Sequence, residues 1–462
     1  MKLSELCIKE TSTLKETLSV IEKTGHGLVF ICKENKFQGL VGDSDIRRSL
    51  LSGKNLETPI SKIMNITPVI LQEPWTKQQI LNIINKPEIK SLFLKKNIFV
   101  IPVLNKKQEL VDFVVTSVNG YLYKFSDETK KQVPIKRILV VGGSGYLGSV
   151  LCKLLIQKGY LVKVLDNLTY GNDGLRFLIG HPSFEFIQGD MRDIHTVVKA
   201  VEDVDAVIHL AAIVGDKACD LNPKETIETN YFATKLLAEI CKYSQINRFI
   251  FASSCSVYGS SSSAHKREDS ATNPVSLYAE MKLRSEEAVL NMKDGCFSPT
   301  VFRMATLFGV SDRMRFDLVV NLLSIKAIKE HEITIFGGDQ WRPFLHVRDA
   351  AEAYIKCLEA PLDKVSGQIF NIGSSSYDYK LKQIGQLVKT IVGKTKVTTN
   401  TTATDKRDYN VCFEKAETIL GIEPNLSVER GIFEILQESE KGSFSDHKDK
   451  KYSNSDYLEG MD

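Results

Sequence analysis

What the 462-residue chain lacks already excludes several classes of function. It has no excess of one charge: 60 Lys and Arg stand against 57 Asp and Glu, so no cationic field is available to draw nucleic acid or an anionic membrane surface. Outside a glycine-rich run bounded by Arg137 and Lys153, no apolar stretch approaches the roughly 20 residues that a membrane helix needs. The N-terminus, MKLSELCIKE, alternates charged with apolar residues and lacks the apolar core of a signal peptide, which predicts a cytoplasmic protein. The nine cysteines, from Cys7 to Cys412, form no CxxC pair and no Cys/His cluster at ligand spacing. They read as reduced thiols, so neither a disulfide nor a structural zinc is expected. A hydrophobic fraction of 43% and a charged fraction of 25% are those of an ordinary globular protein, and the length predicts two or three domains.

Among what is present, one stretch organises the rest: Arg137 to Gly148, RILVVGGSGYLG. A short apolar run ends in Gly142-x-x-Gly145-x-x-Gly148, and a helix-forming segment follows. A strand that turns tightly into a helix N-terminus suits a dinucleotide pyrophosphate, because glycines permit the turn and the backbone N–H groups face the phosphates. Apolar strands then recur at Leu161 to Leu165, Phe184 to Ile187, Ala206 to Leu210, Arg248 to Ala252 and Thr300 to Arg303. Segments of helical period lie between most of them, among them Lys224 to Tyr243 and Leu277 to Met292. Such alternation predicts a doubly wound parallel α/β sheet of Rossmann type. Asp166 ends the second strand, where a carboxylate meets the adenosine ribose and repels a 2′-phosphate, so NAD is expected and not NADP. Asn167 follows it. Asp190 and Met191 follow the third strand near the expected adenine, and His209-Leu210-Ala211-Ala212 close the fourth.

The N-terminal 120 residues carry a weak internal repeat of roughly 70 residues. His26-Gly-Leu-Val-Phe-Ile with Phe37-Gln-Gly-Leu-Val is echoed by Asn97-Ile-Phe-Val-Ile-Pro-Val with Glu109-Leu-Val-Asp-Phe-Val-Val. Each half reads helix, strand, turn, strand, helix. With GDSDIRRSLLSG and ISKIMNITPVIL between them, the segment resembles a tandem CBS pair, an α+β module. The resemblance implies an adenine-nucleotide cleft with Asp45 on the ribose. Gly42 stands where a hydroxyl residue is usual, and Val115 and Val118 occupy the matching positions of the second repeat. A packing or dimerising module and a nucleotide sensor both remain open. Residues 121–134 read as a polar linker, and residues 441–462, with few apolar anchors, as a disordered tail.

The reaction chemistry lies in Ser253-Ser254-Cys255-Ser256 at a strand end and in Tyr278-x-x-x-Lys282 on a helix. Positions i and i+4 share one helical face. A phenol of reference pKa about 10 becomes a usable base when positive charge lies near it. Together with the glycine turn, residues 135–440 resemble the extended short-chain dehydrogenase/reductase family, in its nucleotide-sugar epimerase/dehydratase branch. The resemblance implies Tyr278 as catalytic base and acid, Lys282 on the nicotinamide ribose, Ser254 on the reacting sugar oxygen, and Asn230 near the cofactor. It also places Gly142, Gly145, Tyr146, Leu147 and Gly148 in the NAD site.

A smaller C-terminal region would bind a nucleotide-diphosphate sugar. Thr306 lies on its leading strand, and Arg313, Arg315, Arg342 and Arg407 are candidates for the diphosphate, to which Arg donates in bidentate fashion. Arg342 matches the family position best. Cys255 and Ser256 stand where a 4,6-dehydratase carries an Asp-Glu pair, which disfavours elimination of water. Asp166 disfavours a reductase that exchanges NADP each turnover. Redox-neutral epimerisation at C4, in the service of cell-surface polysaccharide synthesis, is the reading that results. The other branch reactions and a non-catalytic NAD sensor are the alternatives. Val214 stands in place of the Lys of UDP-hexose 4-epimerases, and Thr306 in place of their Asn. Relatives of this branch form homodimers or larger assemblies, and the same is expected here.

Overall fold

The computed structural model describes residues 3–24, 27–87, 89, 98–117, 120–125, 135–244, 246–260, 265–294, 297–400 and 408–460. The chain divides into two compact units, Met1–Pro134 and Ile135–Asp462.

In the first unit the short strand Cys7–Ile8 runs parallel to Leu28–Lys33, which pairs antiparallel with Lys36–Gly42. The second half repeats this plan: Leu71–Gln72 is parallel to Ile98–Leu104, which pairs antiparallel with Leu110–Ser117. Helices Leu14–Thr24 and Lys77–Ile84 fill the equivalent connections. The halves share a core in which Phe30 and Phe113 lie 5.3 Å apart, with Leu28 and Val115 beside them. Gly120–Phe125, within the stretch read as a linker, forms a further strand against Leu110–Ser117. The aromatic, β-favouring sequence YLYKF outweighs its lysine there. Asp45 accepts the Gly42 N–H at 2.9 Å and pairs with Arg48 at 2.5 Å, so its carboxylate caps the helix Asp43–Leu51. Val118 lies outside the described residues.

The second unit is built on seven strands: β1 (Arg137–Val141), β2 (Leu161–Asp166), β3 (Phe184–Gln188), β4 (Ala206–His209), β5 (Arg248–Ser254), β6 (Ser298–Met304) and β7 (Gln368–Ile372). Their order is β3-β2-β1-β4-β5-β6-β7, and every pairing is parallel. This is the doubly wound sheet that alternation of strands and helices requires, and its order reverses between β1 and β4. β7 has no counterpart in the sequence reading: it is a five-residue run reached only after a long excursion into the smaller C-terminal sheets. Successive side chains of β1 serve opposite faces. Ile138 and Val140 join helix α1 (Tyr146–Gln157) through Leu151 and Leu155, while Leu139 and Val141 join helix α2 (Ala233–Tyr243) through Leu237 and Ala238.

Helix α3 (Leu277–Asn291) carries Tyr278, Lys282 and Glu286, each four residues from the next, along one face. Glu286 is buried and takes a forked contact from Arg303 of β6, with Nη2–Oε2 2.7 Å and Nε to the two oxygens at 3.1 Å. Ser253 donates to the same carboxylate, and Arg303 also donates to the Tyr258 hydroxyl at 2.9 Å.

The C-terminal segment is not a disordered tail. Phe444 and Tyr452 enclose Phe316, at centroid distances of 5.1 and 4.9 Å, and a short helix, Asn454–Glu459, follows. A few apolar anchors and a serine cap at Ser453 suffice in a segment whose composition is otherwise polar. No helix among the described residues is long and apolar enough to cross a membrane.

The buried pair sets a stability test. Glu286→Ala leaves the Arg303 guanidinium without its carboxylate and is expected to cost about 3–5 kcal/mol in urea unfolding of the second unit. The apolar double replacement Glu286→Leu/Arg303→Met should cost much less than the single change. Equal losses would show that shape, and not the charge pair, holds α3.

Candidate active site

The site lies at the carboxyl ends of β1, β4 and β5. Gly142 has φ +88°, and a Cβ there would sit 2.5 Å from Ala211 N. At Gly148 a Cβ would meet Gly142 O at 2.3 Å, so these two glycines let α1 approach β1 and the β4 loop. Gly145 differs. A Cβ there would meet only Gly142 O, at 3.4 Å, and otherwise enters open space beside the turn. Packing does not demand glycine at that position, whereas a phosphate lying close to the backbone does. Asp166 accepts Ser144 N and Leu168 N, both at 2.9 Å, and keeps lone pairs for ribose hydroxyls. Burial raises its pKa against those two bonds. The β4 loop follows β1 closely, since Leu210 N and Ala211 N both donate to Val141 O at 2.8 and 2.9 Å. Glycines 142, 145 and 148, Asp166 and the loop Leu210, Ala211 and Ala212 thus form a cradle that fits a dinucleotide.

Several expected cofactor residues are placed otherwise. The Tyr146 side chain is buried and donates to Gly309 O at 2.7 Å, tying α1 to the C-terminal region. Only its backbone remains at the turn, while Leu147 packs into the core behind it. Asp190 is held by Arg192, with Nη2–Oδ2 2.7 Å, and Asn167 reaches it at 3.5 Å. Met191 is a core residue. His209 is buried between Phe249 and Phe251 and shares a hydrogen bond with Thr234 at 2.8 Å; burial lowers its pKa to about 3, so it is a neutral core imidazole. Asn230 clamps the backbone of Ile213 from both sides, accepting from its N–H and donating to its C=O, each at 2.8 Å. It does so from a π-helical turn, Glu228–Phe232, whose Asn230 carbonyl receives Ser285 Oγ at 2.8 Å. Asn230 therefore positions the loop beyond Ala212.

Ser254, Tyr278 and Lys282 come together. Ser254 ends β5, accepts Ser256 N at 3.1 Å, and lies near enough to Tyr278 to favour its phenolate. Lys282 Nζ donates to Ala252 O at 2.7 Å and lies 5.9 Å from the centroid of the Tyr278 ring. Burial lowers Lys282 to about 8. Burial also raises Tyr278 above the usual phenol value, and the influences that oppose it most are Arg315 and Ser254. The Lys282 ammonium is docked on the β5 backbone, and burial dominates at Tyr278. Cys255 is buried, with its thiol donating to Arg303 O at 3.2 Å and its pKa raised by burial. Ser256 is buried as well.

The arginines separate. Arg315 is paired with Asp317 at 2.9 and 2.7 Å. Burial alone would raise Asp317, but Arg315 brings its pKa below the ordinary value. Arg342 lies 5.2 Å from the Tyr409 ring and donates to Trp341 O at 2.7 Å. Arg407 lies outside the described residues. Thr306 begins a strand parallel to Phe344–His346. Arg313 is 4% exposed and sits 4.6 Å from the Tyr170 ring, and its Nε and Nη2 have no hydrogen-bond partner among the described residues. Burial lowers it to about 10. Sequence reasoning named Arg313 only beside Arg315, because spacing alone does not tell which of two neighbouring arginines has a carboxylate partner.

The profile of the NAD dependent epimerase/dehydratase family matches residues 138–373, just over half of the chain. The chain belongs to that family. Its members use NAD, and the cradle around Gly145 and Asp166 fits that cofactor. UDP-glucose 4-epimerase of Bacillus subtilis is 28% identical over 284 residues, covering 56% of this chain and 82% of the relative. UDP-glucuronic acid decarboxylase 1 of Arabidopsis thaliana is 29% identical over 308 residues, covering 64% and 68%. Among solved structures, UDP-glucuronic acid 4-epimerase of Bacillus cereus, in complex with UDP-glucuronic acid and NAD, superposes with a TM-score of 0.60 at 28% identity, covering 66% of this chain and 99% of that one.

The three glycines of this epimerase/dehydratase family member allow a paired test. Gly145→Ala should leave thermal unfolding unchanged and weaken NAD binding at least tenfold by calorimetry. Gly148→Ala should lower the melting temperature, since its Cβ has no room. NAD binding unchanged in a folded Gly145→Ala protein would remove the phosphate cradle from this turn.

Proposed function

We propose that the chain is an NAD-dependent nucleotide-sugar epimerase acting at C4. The observation that carries this is the assembly of Ser254, Tyr278 and Lys282 at the end of β5 beside the glycine turn, while Cys255 and Ser256 are turned into the core. NAD held in the cradle would supply a hydride acceptor and donor for C4. In this reading Ser254 hydrogen-bonds the C4 oxygen, and Tyr278 takes the hydroxyl proton as that oxygen becomes a carbonyl. When hydride returns to the opposite face, Tyr278 gives the proton back, so atoms and electrons balance with no external reductant. Lys282, freed from Ala252 O, is placed for the nicotinamide ribose, and its charge below about pH 8 supports a phenolate that burial otherwise opposes. Asp166 is the ribose carboxylate. Elimination of water needs an acid and base beside Ser254, and a buried thiol and a buried hydroxyl supply neither.

Arg342 and Arg407 are the candidates for the sugar nucleotide's diphosphate in this reading, with Arg315 set back by its pairing to Asp317. The UDP-sugars of the relatives make uridine nucleotides the first to test. Val214 and Thr306 argue for a sugar other than that of the UDP-hexose 4-epimerases. The repeated architecture of the N-terminal unit supports a CBS-like module for regulation or dimerisation; because Asp45 is already engaged as a cap, packing is the better reading of its role.

Incubation with UDP-, dTDP-, GDP- and CDP-sugars, without reductant, should yield an isomer of unchanged mass. Loss of one water would establish a dehydratase, and loss of carbon dioxide from a uronic acid a decarboxylase. Tyr278→Phe should lower turnover by about 10²–10⁴-fold with NAD still bound. Undiminished turnover in that variant would remove Tyr278 from the chemistry.

A further inference from the structure

The C-terminal segment touches loops on both sides of the glycine turn. β1 lies between β2 and β4 in the sheet, so the loops after β2 and β4 flank the glycine turn at its carboxyl edge. Residues 452–458 touch both loops. The Tyr457 ring packs at a tilt of 60° against Tyr170 of the β2 loop, at a centroid distance of 5.8 Å. Asn454 is 3% exposed, and its Nδ2 donates to Val214 O of the β4 loop at 3.1 Å. Leu458 packs against Ile213, Ala218 and Cys219, the same residues that Tyr278 packs against. A third attachment fixes the near end: Asn454 N donates to Asp317 at 3.2 Å, and Phe316 N donates to Tyr452 O at 2.7 Å. The segment thus bridges the two loops that flank the turn. Arg313 lies against Tyr170, the ring that Tyr457 also meets, and two of its buried N–H groups have no partner among the described residues. The segment therefore reaches the neighbourhood of a guanidinium with two unpaired N–H groups, donors of the kind that a diphosphate accepts.

We propose that residues 450–459 form a strap that retains the dinucleotide, with Tyr457 and Asn454 as its two fastenings and Arg313 as a cation for the diphosphate. The proposal rests on the assignment of NAD to this crevice. Retention suits a redox-neutral reaction, in which the same cofactor molecule gives up and regains one hydride and need not leave between turnovers.

The test is the exchange of bound 1,N6-etheno-NAD for excess NAD, followed by fluorescence in the full-length protein. Tyr457→Ala, at a half-exposed position, and Asn454→Ala/Tyr457→Ala should release the dinucleotide at least tenfold faster. Tyr457→Phe, which keeps the ring, should stay within twofold of the parent. Thermal unfolding of each variant shows whether the fold is intact; Tyr457→Ala serves if the double variant is unstable. Exchange within twofold of the parent in folded Tyr457→Ala, or an equal acceleration in Tyr457→Phe, overturns the strap. Unchanged exchange with a tenfold weaker calorimetric affinity for UDP also overturns it, and moves the segment to the sugar-nucleotide side. A parent protein that binds no dinucleotide at all refutes the NAD assignment itself, which is a separate failure.

Discussion

The reacting face of α3 depends on the pair Glu286 and Arg303. Tyr278 and Lys282 sit two turns and one turn before Glu286 on the same face, so where that carboxylate is pinned, the phenol and the ammonium are placed too. Burying two charges carries a desolvation penalty that only complete hydrogen bonding can offset. Here the carboxylate receives the guanidinium fork and Ser253, while Arg303 also reaches the Tyr258 hydroxyl, which itself donates to Asn371 Oδ1 at 2.7 Å. The network joins α3 to β5, β6 and β7 directly behind Ser254. Such an anchor fixes direction as well as distance, which a patch of apolar packing does less well.

Much of this was legible in the sequence because it rests on local rules. Strand alternation gave the sheet, and the glycine spacing gave the turn. Ser254 with the i, i+4 pair gave the reacting face. What was not legible depends on partners distant in sequence. Tyr146 looks like a cofactor residue until its hydroxyl is seen on Gly309. Asp190 looks available for adenine until Arg192 is found on it. Asn230 holds a loop through its side chain, and only the π-turn beneath it shows why. β7 escaped notice because a five-residue run carries little period of its own and belongs to the sheet only through pairing with β6. Composition misled most at the C-terminus, where the polar average conceals Phe444, Tyr452 and Leu458, three anchors placed to meet grooves that no local pattern reveals.

Arg313 and Arg315 show how much the partner matters. Both are buried and two residues apart, and they share the same neighbourhood of Tyr170 and Asp317. Arg315 holds Asp317 by a bidentate bond, so its charge is matched within the protein, and its pKa is raised despite burial. Arg313 has no such match, and burial draws its pKa down. A guanidinium enclosed with two N–H groups unpaired lowers the stability of the fold, and an anion from outside the chain would complete its hydrogen bonding. Deprotonation offers little relief, because about 10 is still well above neutral pH. That arginine also lies against Tyr170, the ring met by the segment that ties the β2 loop to the β4 loop. The position least favourable to the protein alone is thus the one where a diphosphate gains most, and the geometry of the crevice and its electrostatics lead to the same ligand.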